Sequence, residues 1–212
     1  LDNQATLNMA KLFQVKNLLE EVKTFVEQVY IPDICAVGAM YADWLGYGSG
    51  VTNYLSVPDL PTDTKGTQFD MKGGTVIGGQ LKEITSFQDQ YFKDNVAECI
   101  ARSWYDGDWT RHPYEEETVP AYSEYDQNGK YSWVKSPRFA NEPAQVGPLA
   151  QVLAAFLGGD PLTTKWATKV LETAGSIAGA KLTPDVLHST IGRHAARSIR
   201  CAVMADLALK QW

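Results

Sequence analysis

From Leu12 to Val29 apolar residues recur at Leu12, Val15, Leu19, Val22, Val26 and Val29. Steps of three and four put them on one stripe of a helix. Lys16–Glu20 and Lys23–Glu27 stand four apart and support the outer face. Pro32 ends or kinks this helix, because it lacks an amide donor and clashes with the preceding turn. The run from Ile31 to Gly46 is apolar nearly all round, which predicts a buried helix stopped at Gly46–Gly48. Over 49–80 the helical period disappears. GSGVTNYLSVPDLP and MKGGTVIGGQL are short β-leaning pieces between Gly and Pro breakers, predicting a hairpin or irregular meander. Residues 84–95 predict a short helix, and 87–139 read as loops and short strands.

Helical patterning returns at Gly147-Pro148 and is closed by Gly158-Gly159. Asp160-Pro161 opens a second helix as cap and first helical position, and Thr183-Pro184-Asp185 does the same for a long last helix rich in small residues. The expected architecture is mainly α, a helical core with a small irregular β/loop insert. It reads as a helix pair at 1–48, an aromatic-rich insert at 49–145 and a helical trio at 146–212. The opening LDNQATL and the close inside the helical run SIRCAVMADLALKQW suggest one partial domain of a longer chain.

Composition narrows the classes of function. The 212 residues are 44% apolar and 21% charged, ordinary globular values. A net charge of −6 and a pI near 5.1 argue against nucleic-acid binding, which needs a basic surface. No apolar run reaches the ~18–20 residues that span a bilayer. Residues 87–139 hold 12 of the chain's 23 aromatics, which marks the insert as chemically distinct from the helices.

No complete catalytic constellation is present. Glu115-Glu116-Glu117, with Asp106 and Asp108 near Trp and Tyr, has the residue types of glycoside chemistry. Three consecutive glutamates cannot face one another across a substrate, so a solvated acidic loop is the better reading. His112, His188 and His194 lack metal-ligand spacing; His194 reads as structural or interfacial, and His112 as a loop hydrogen-bonder. Cys35, Cys99 and Cys201 form no CxxC, and Cys35 and Cys201 sit in apolar helical surroundings that favour inert thiols. Arg193, Arg197 and Arg200 make a cationic stripe, which either holds an acidic partner or is a solvated face. GGTVIGG lacks the Lys-Ser/Thr of a phosphate loop, and no GxSxG elbow appears.

The stretch GKYSWVKSPRFANEPAQVGPLAQVL, residues 129–153, closely resembles an internal motif of nickel–iron hydrogenase large subunits, roughly YSWxKAPRY followed by EVGPLAR. Further blocks resemble the family in order: TFVEQVYIPDICAVGAMYADW, GYGSGVTNYLSV, GGTVIGG, ARSWYDGDWTRHPYEEETVP and STIGRHAARSIRCAVMADL. The resemblance implies part of a larger large-subunit fold and heterolytic cleavage of dihydrogen at a nickel–iron centre. In the family the metals are held by two CxxC motifs, and the iron carries carbon monoxide and cyanide. Neither motif is in this sequence, so the resemblance implies no metal ligand within it. It also implies a magnesium or iron ion near the centre, a small iron–sulfur partner subunit, and a periplasmic location with peripheral membrane association through partners.

By the same resemblance, Lys135, Arg138 and Gln145 are candidates for the shell around the metal site. Gln145 stands where the family has Glu, and Gln151 where it has Arg; both replacements keep a hydrogen-bonding group and lose a charge. Lys135 and Arg138 match the KAPR positions, and supply charge either to a buried polar network or merely to local carboxylates. Two other functions stay open: a metal-free scaffold subunit of a related respiratory redox complex, and a self-standing helical interaction module. The YSWVKSPRF block favours the hydrogenase.

Overall fold

Asn8 starts the first helix by accepting the Lys11 amide at 3.0 Å, and α1 follows over Met9–Phe25. In this computed structural model, which describes residues 6–211, α1 passes into a π turn at Val26–Tyr30 and then into α2, Ile31–Met40. The Ile31 amide bonds back to the Val26 carbonyl, five residues earlier. Pro32 therefore does not end the helix. The wider π turn accommodates a residue that lacks a donor.

The apolar stripe behaves differently from its expectation. Only Val26 of the six stripe residues is buried, while Val15, Val22 and Val29 are exposed. Periodicity fixes which residues share a face, but not whether another element covers it. α2 is likewise only half covered: Ile31 and Cys35 are buried, yet Val37 and Met40 are exposed.

Two compact units emerge, Val51–Ala154 and a second made of the segments on either side of it. In the flanking unit, α2 and α1 pack with α5, Pro161–Ala178, and α6, Thr190–Gln211. Asp160 caps α5 by accepting the Thr163 amide at 2.6 Å, with Pro161 in its first turn. Small residues let α6 approach closely, with Ala196, Ile199, Ala202, Val203 and Leu207 buried.

The last helix does not begin at Pro184. Pro184–His188 is a 3-10 turn, Ser189 is extended, and its hydroxyl accepts the Gly192 amide at 2.9 Å. That is an N-cap, which restarts the chain as α6. Gly192 is required there, since a Cβ would stand 2.0 Å from the Val186 carbonyl oxygen.

All the strands among the described residues lie in Val51–Ala154. β1 (Tyr54–Ser56), β4 (Gly73–Ile77) and β5 (Gln80–Ile84) form one sheet in the order β1-β4-β5, and β2 (Asp59–Pro61) pairs with β3 (Phe69–Met71). β6 (Val96–Cys99), β7 (Thr110–Arg111), β8 (Ser136–Phe139) and β9 (Glu142–Pro143) form the third sheet, ordered β7-β6-β8-β9. Every pairing between these strands is antiparallel. The second GG of GGTVIGG is a hairpin turn with φ of 58° and 77° at Gly78 and Gly79, the signs a type I′ turn demands.

The short helix α3, Gln90–Asn95, is capped by Asp89 and lies within the expected 84–95. Leu55, Ile84, Phe92, Val96, Phe139 and Ala144 form one core cluster of this unit, with Tyr91 packed against it. α4, Pro148–Leu157, carries the chain across the boundary at Ala154. Helix is the commoner element, and no described helix is long and apolar enough to cross a membrane.

Candidate functional site

The segment Ser132–Gln145 carries all three shell candidates. Its strand β8 pairs with β6 and turns into β9 through Ala140 and Asn141, at φ of 49° and 65°. Positive φ is uncommon for a residue with a Cβ. The Ala140 amide is tied to the Asn95 carbonyl at 2.8 Å, and the neighbouring Phe139 is 2% exposed, with its ring edge-on to Tyr91 at 5.0 Å. A strained turn is thus held by core packing on one side and a hydrogen bond on the other.

Each candidate on this hairpin engages different groups. Lys135, just before β8, donates to the Glu98 carboxylate on β6 and to Thr118 Oγ1 at 3.0 Å. Arg138 donates from Nη1 to Ser136 Oγ at 2.9 Å and to the Pro137 carbonyl at 3.1 Å. Gln145 extends the β1 sheet: its amide bonds to the Asn53 carbonyl at 2.8 Å, and its carbonyl accepts from the Leu55 amide at 2.9 Å. The side-chain amide of Gln145 donates to the Val51 carbonyl. A carboxylate cannot donate, so this contact gives a local reason for glutamine here. Gln151 reaches Asp59 Oδ2 at 3.5 Å.

The other sequence candidates fall apart as sites. Arg111 pairs with Glu116 and holds its carboxyl below the usual carboxylate range, while Glu115 and Glu117 are exposed. His112 Nδ1 accepts the Tyr114 amide at 3.3 Å, which leaves Nε2–H to donate to the Lys93 carbonyl at 2.6 Å. That is the loop hydrogen-bonding role expected of it. Arg193 donates to the Gly48 and Ser49 carbonyls, so the stripe's first member binds backbone, while Arg197 is exposed. Burial pushes the Cys35 thiol up in pKa, and its Sγ lies 3.6 Å from the Val170 carbonyl. Cys201 is exposed rather than buried.

One polar cluster escaped the sequence. Asp206 on α6 accepts from Trp166 Nε1 at 2.8 Å, from Lys165 Nζ at 3.1 Å and from Lys23 of α1. Burial works against its charged form, yet these donors together hold its pKa below the ordinary value. Lys23 also bonds Glu27. Its i,i+4 pair with Glu27 therefore forms as expected but faces inward, joining α1 to α6. Only the i,i+4 part of this cluster was legible, because Asp206 lies 183 positions from Lys23.

No group of three or more His, Cys, Asp or Glu among the described residues is arranged to hold a metal ion. Cys35 is buried, Cys99 half-buried and Cys201 exposed. This donor set does not fit a thiolate-bound nickel–iron centre.

Comparison with known proteins gives a consistent family. The model described as nickel-dependent hydrogenase matches residues 1–212. The hydrogenase-2 large chain of Escherichia coli strain K12 is 36% identical over 215 residues, covering 100% of this chain and 38% of that protein. The uptake hydrogenase large subunit of Afipia carboxidovorans is 32% identical over 228 residues, covering 98% of this chain and 37% of its own length. Among solved structures, the H2-activated NiFeSe hydrogenase of Dm. baculatum superposes with a TM-score of 0.73 at 26% identity, covering 97% of this chain and 40% of that one. The chain therefore spans well under half the length of the relatives it matches. With a family match across all 212 residues, including the YSWVKSPRF segment that leads into β8, the chain belongs to the nickel-dependent hydrogenase family.

Proposed function

We propose that this chain is the scaffold segment of a nickel–iron hydrogenase large subunit whose parent protein interconverts dihydrogen with two protons and two electrons. The observation that carries the reading is the whole-chain similarity to hydrogenase large chains. In this reading the thiolates that bind nickel and iron, the carbon monoxide and cyanide on iron, and a nearby magnesium or iron ion belong to the parent subunit, and none is bound by these residues alone. The metal centre supplies the hydrogen chemistry; this chain supplies shape and hydrogen bonding around it.

Lys135, Arg138 and Gln145 are proposed as the shell residues. The Lys135–Glu98 pair fixes a cation at the mouth of β8, and Arg138 is oriented by Ser136 Oγ and the Pro137 carbonyl. Gln145 locks the approach to α4 through Val51. Such outer residues typically change metal affinity or activity by about 10–100-fold when removed. The proposed partner is a small iron–sulfur subunit, and the proposed location is the periplasm, with membrane association through partners.

The test is nickel per copy of this polypeptide, in complex purified from its native source. About one nickel per copy is expected for a thiolate-held centre. A preparation with intact iron–sulfur clusters and no nickel would overturn the reading. In the same complex, Arg138→Met is expected to lower nickel content or hydrogen turnover while leaving the circular dichroism unchanged.

A further inference from the structure

Asn128 is the one asparagine of this sequence that is followed by glycine. Gly129 has no Cβ to shield its backbone nitrogen, whereas Asn53, Asn95 and Asn141 precede Tyr54, Val96 and Glu142. The structure sets Asn128 apart a second time. The side chain of Asn8 accepts from the Lys11 amide, and those of Asn53 and Asn95 donate to the Pro143 and Tyr91 carbonyls. The Asn128 side chain makes no hydrogen bond among the described residues, so its carboxamide can turn toward the nitrogen that follows it.

The backbone here is held instead. Asn128 N–H donates to Asp126 Oδ1 at 2.8 Å, Asp126 N–H to the Lys130 carbonyl at 3.0 Å and Gly129 N–H to the Asp126 carbonyl at 3.1 Å. Arg102 Nη1 donates to the Asn128 carbonyl and, at 3.3 Å, to the Gly129 carbonyl. If the Gly129 nitrogen loses its proton, the negative charge spreads onto the Asn128 carbonyl oxygen, because the peptide unit is conjugated. A guanidinium seated on that oxygen stabilises the charge as it forms. The bond from Gly129 to Asp126 opposes proton loss, but such neutral bonds are about half as strong as charge-assisted ones.

We propose that Asn128 is a site of spontaneous modification, converted to aspartate and isoaspartate by the Gly129 nitrogen, with Arg102 promoting the attack. Hydroxide takes the Gly129 N–H proton and the nitrogen bonds to Asn128 Cγ. The Cγ–Nδ2 bond breaks, and ammonia leaves with a proton from water, which restores the hydroxide. The cyclic imide then takes up one water and opens at either of its carbonyls; nothing is oxidised or reduced. The nucleophile belongs to the same chain, so the reaction needs water but no free surface, whatever lies over the loop. It goes beyond the hydrogenase reading and does not rest on it.

The product changes charge and shape together. A carboxylate replaces a neutral amide, and isoaspartate adds a methylene to the backbone between the two carbonyls and the segment before them. That turn joins a paired stretch, in which Tyr131 N–H bonds to the Arg102 carbonyl at 3.0 Å and Trp104 N–H to the Ser132 carbonyl at 2.9 Å. Isoaspartate therefore shifts the Asn128 carbonyl relative to Arg102 and loosens the end of this pairing.

The test is ageing of the native complex in heavy-oxygen water at neutral and alkaline pH, followed by digestion in acid and mass spectrometry of the peptide around Asn128. Conversion there is expected to exceed that at every other asparagine, to run faster at alkaline pH, to incorporate heavy oxygen and to give isoaspartate beside aspartate. Arg102→Gln should slow it about tenfold or more, and Arg102→Lys, which keeps a charged donor, should slow it less. An Asn128 that stays intact while other asparagines convert overturns the proposal. Aspartate without isoaspartate overturns it as well, since direct hydrolysis of the side chain does not use Gly129. Conversion as fast or faster in Arg102→Gln overturns the role of Arg102, because the clamp would then restrain the turn rather than promote attack. The unsubstituted complex tests the site by itself, so the proposal stays open to refutation even where a variant fails to fold.

Discussion

The helical unit and the Val51–Ala154 unit hold together by different means. In the first, long helices bury small and apolar side chains such as Ala196, Ile199 and Val203, and one half-buried carboxylate, Asp206, gathers three donors from two other helices. In the second, strands of two to five residues cannot fix a shape by ladder bonds alone. Its form depends on individually placed contacts: Lys135 on Glu98, Gln145 on Val51, Arg102 on Gly129. Regular elements tolerate approximate packing, while irregular ones require particular donors at particular atoms.

Substitutions can break this contrast. Trp166→Ala should have the largest effect, about 3–5 kcal/mol, because Trp166 is 1% exposed and also supplies a donor to Asp206. Hydrogen exchange along α5 and α6 in the purified complex would measure it, and an effect confined to surface exchange would contradict the assigned packing. Gly192→Ala should cost about 1–3 kcal/mol by overpacking, since the new Cβ meets backbone of the 3-10 turn; its signature is lost protection at the start of α6.

In the irregular unit, Gln145→Glu should destabilise by about 1–2 kcal/mol. It sets a carboxylate against the Val51 carbonyl, with a denaturation midpoint shift as the readout. Gln145→Ala losing as much would show that the contact with Val51 matters rather than the repulsion.

The Asp206 cluster gives a smaller, pH-dependent effect. Its folded pKa lies below the ordinary 3.8, so the unfolded chain takes up the proton first. The stabilisation is complete above that value and lost as pH falls through the depressed one. Exchange protection of α1 should fall on acidification through this range, and Asp206→Asn should flatten the dependence. The smallest effect is expected for Glu115→Gln with Glu117→Gln, within about 0.5 kcal/mol; a larger loss of thermal stability would mean that the acidic loop is not simply solvated.

Much of the element pattern was legible from local chemistry. Asp160-Pro161, Gly78-Gly79 and the i,i+4 pair Lys16–Glu20 act through neighbours a few residues away, so spacing alone exposes them. The π turn before Pro32 was not legible, because periodicity does not distinguish a widened turn from a break. The restart at Ser189 was missed for a related reason: Thr183-Pro184-Asp185 is a sound helix opening that here yields only a 3-10 turn. Lys135 and Arg138 are candidates through the YSWVKSPRF resemblance and Gln145 through that of QVGPLAQ, yet nothing in their spacing shows that each has separate partners.

By itself the sequence determined where helical and β-leaning segments lie, local signals such as the Asp160-Pro161 cap and the Gly78-Gly79 turn, and membership of a family, since all of these are written in contiguous residues. Tertiary structure alone decided that the Val15–Val22–Val29 face stays open, that Lys23 turns inward to Asp206, and that Trp104, Tyr122 and Trp133 meet on one surface. These depend on which distant segments come together. Burial and ion pairing are properties of such long-range encounters, and a one-dimensional period carries no record of them.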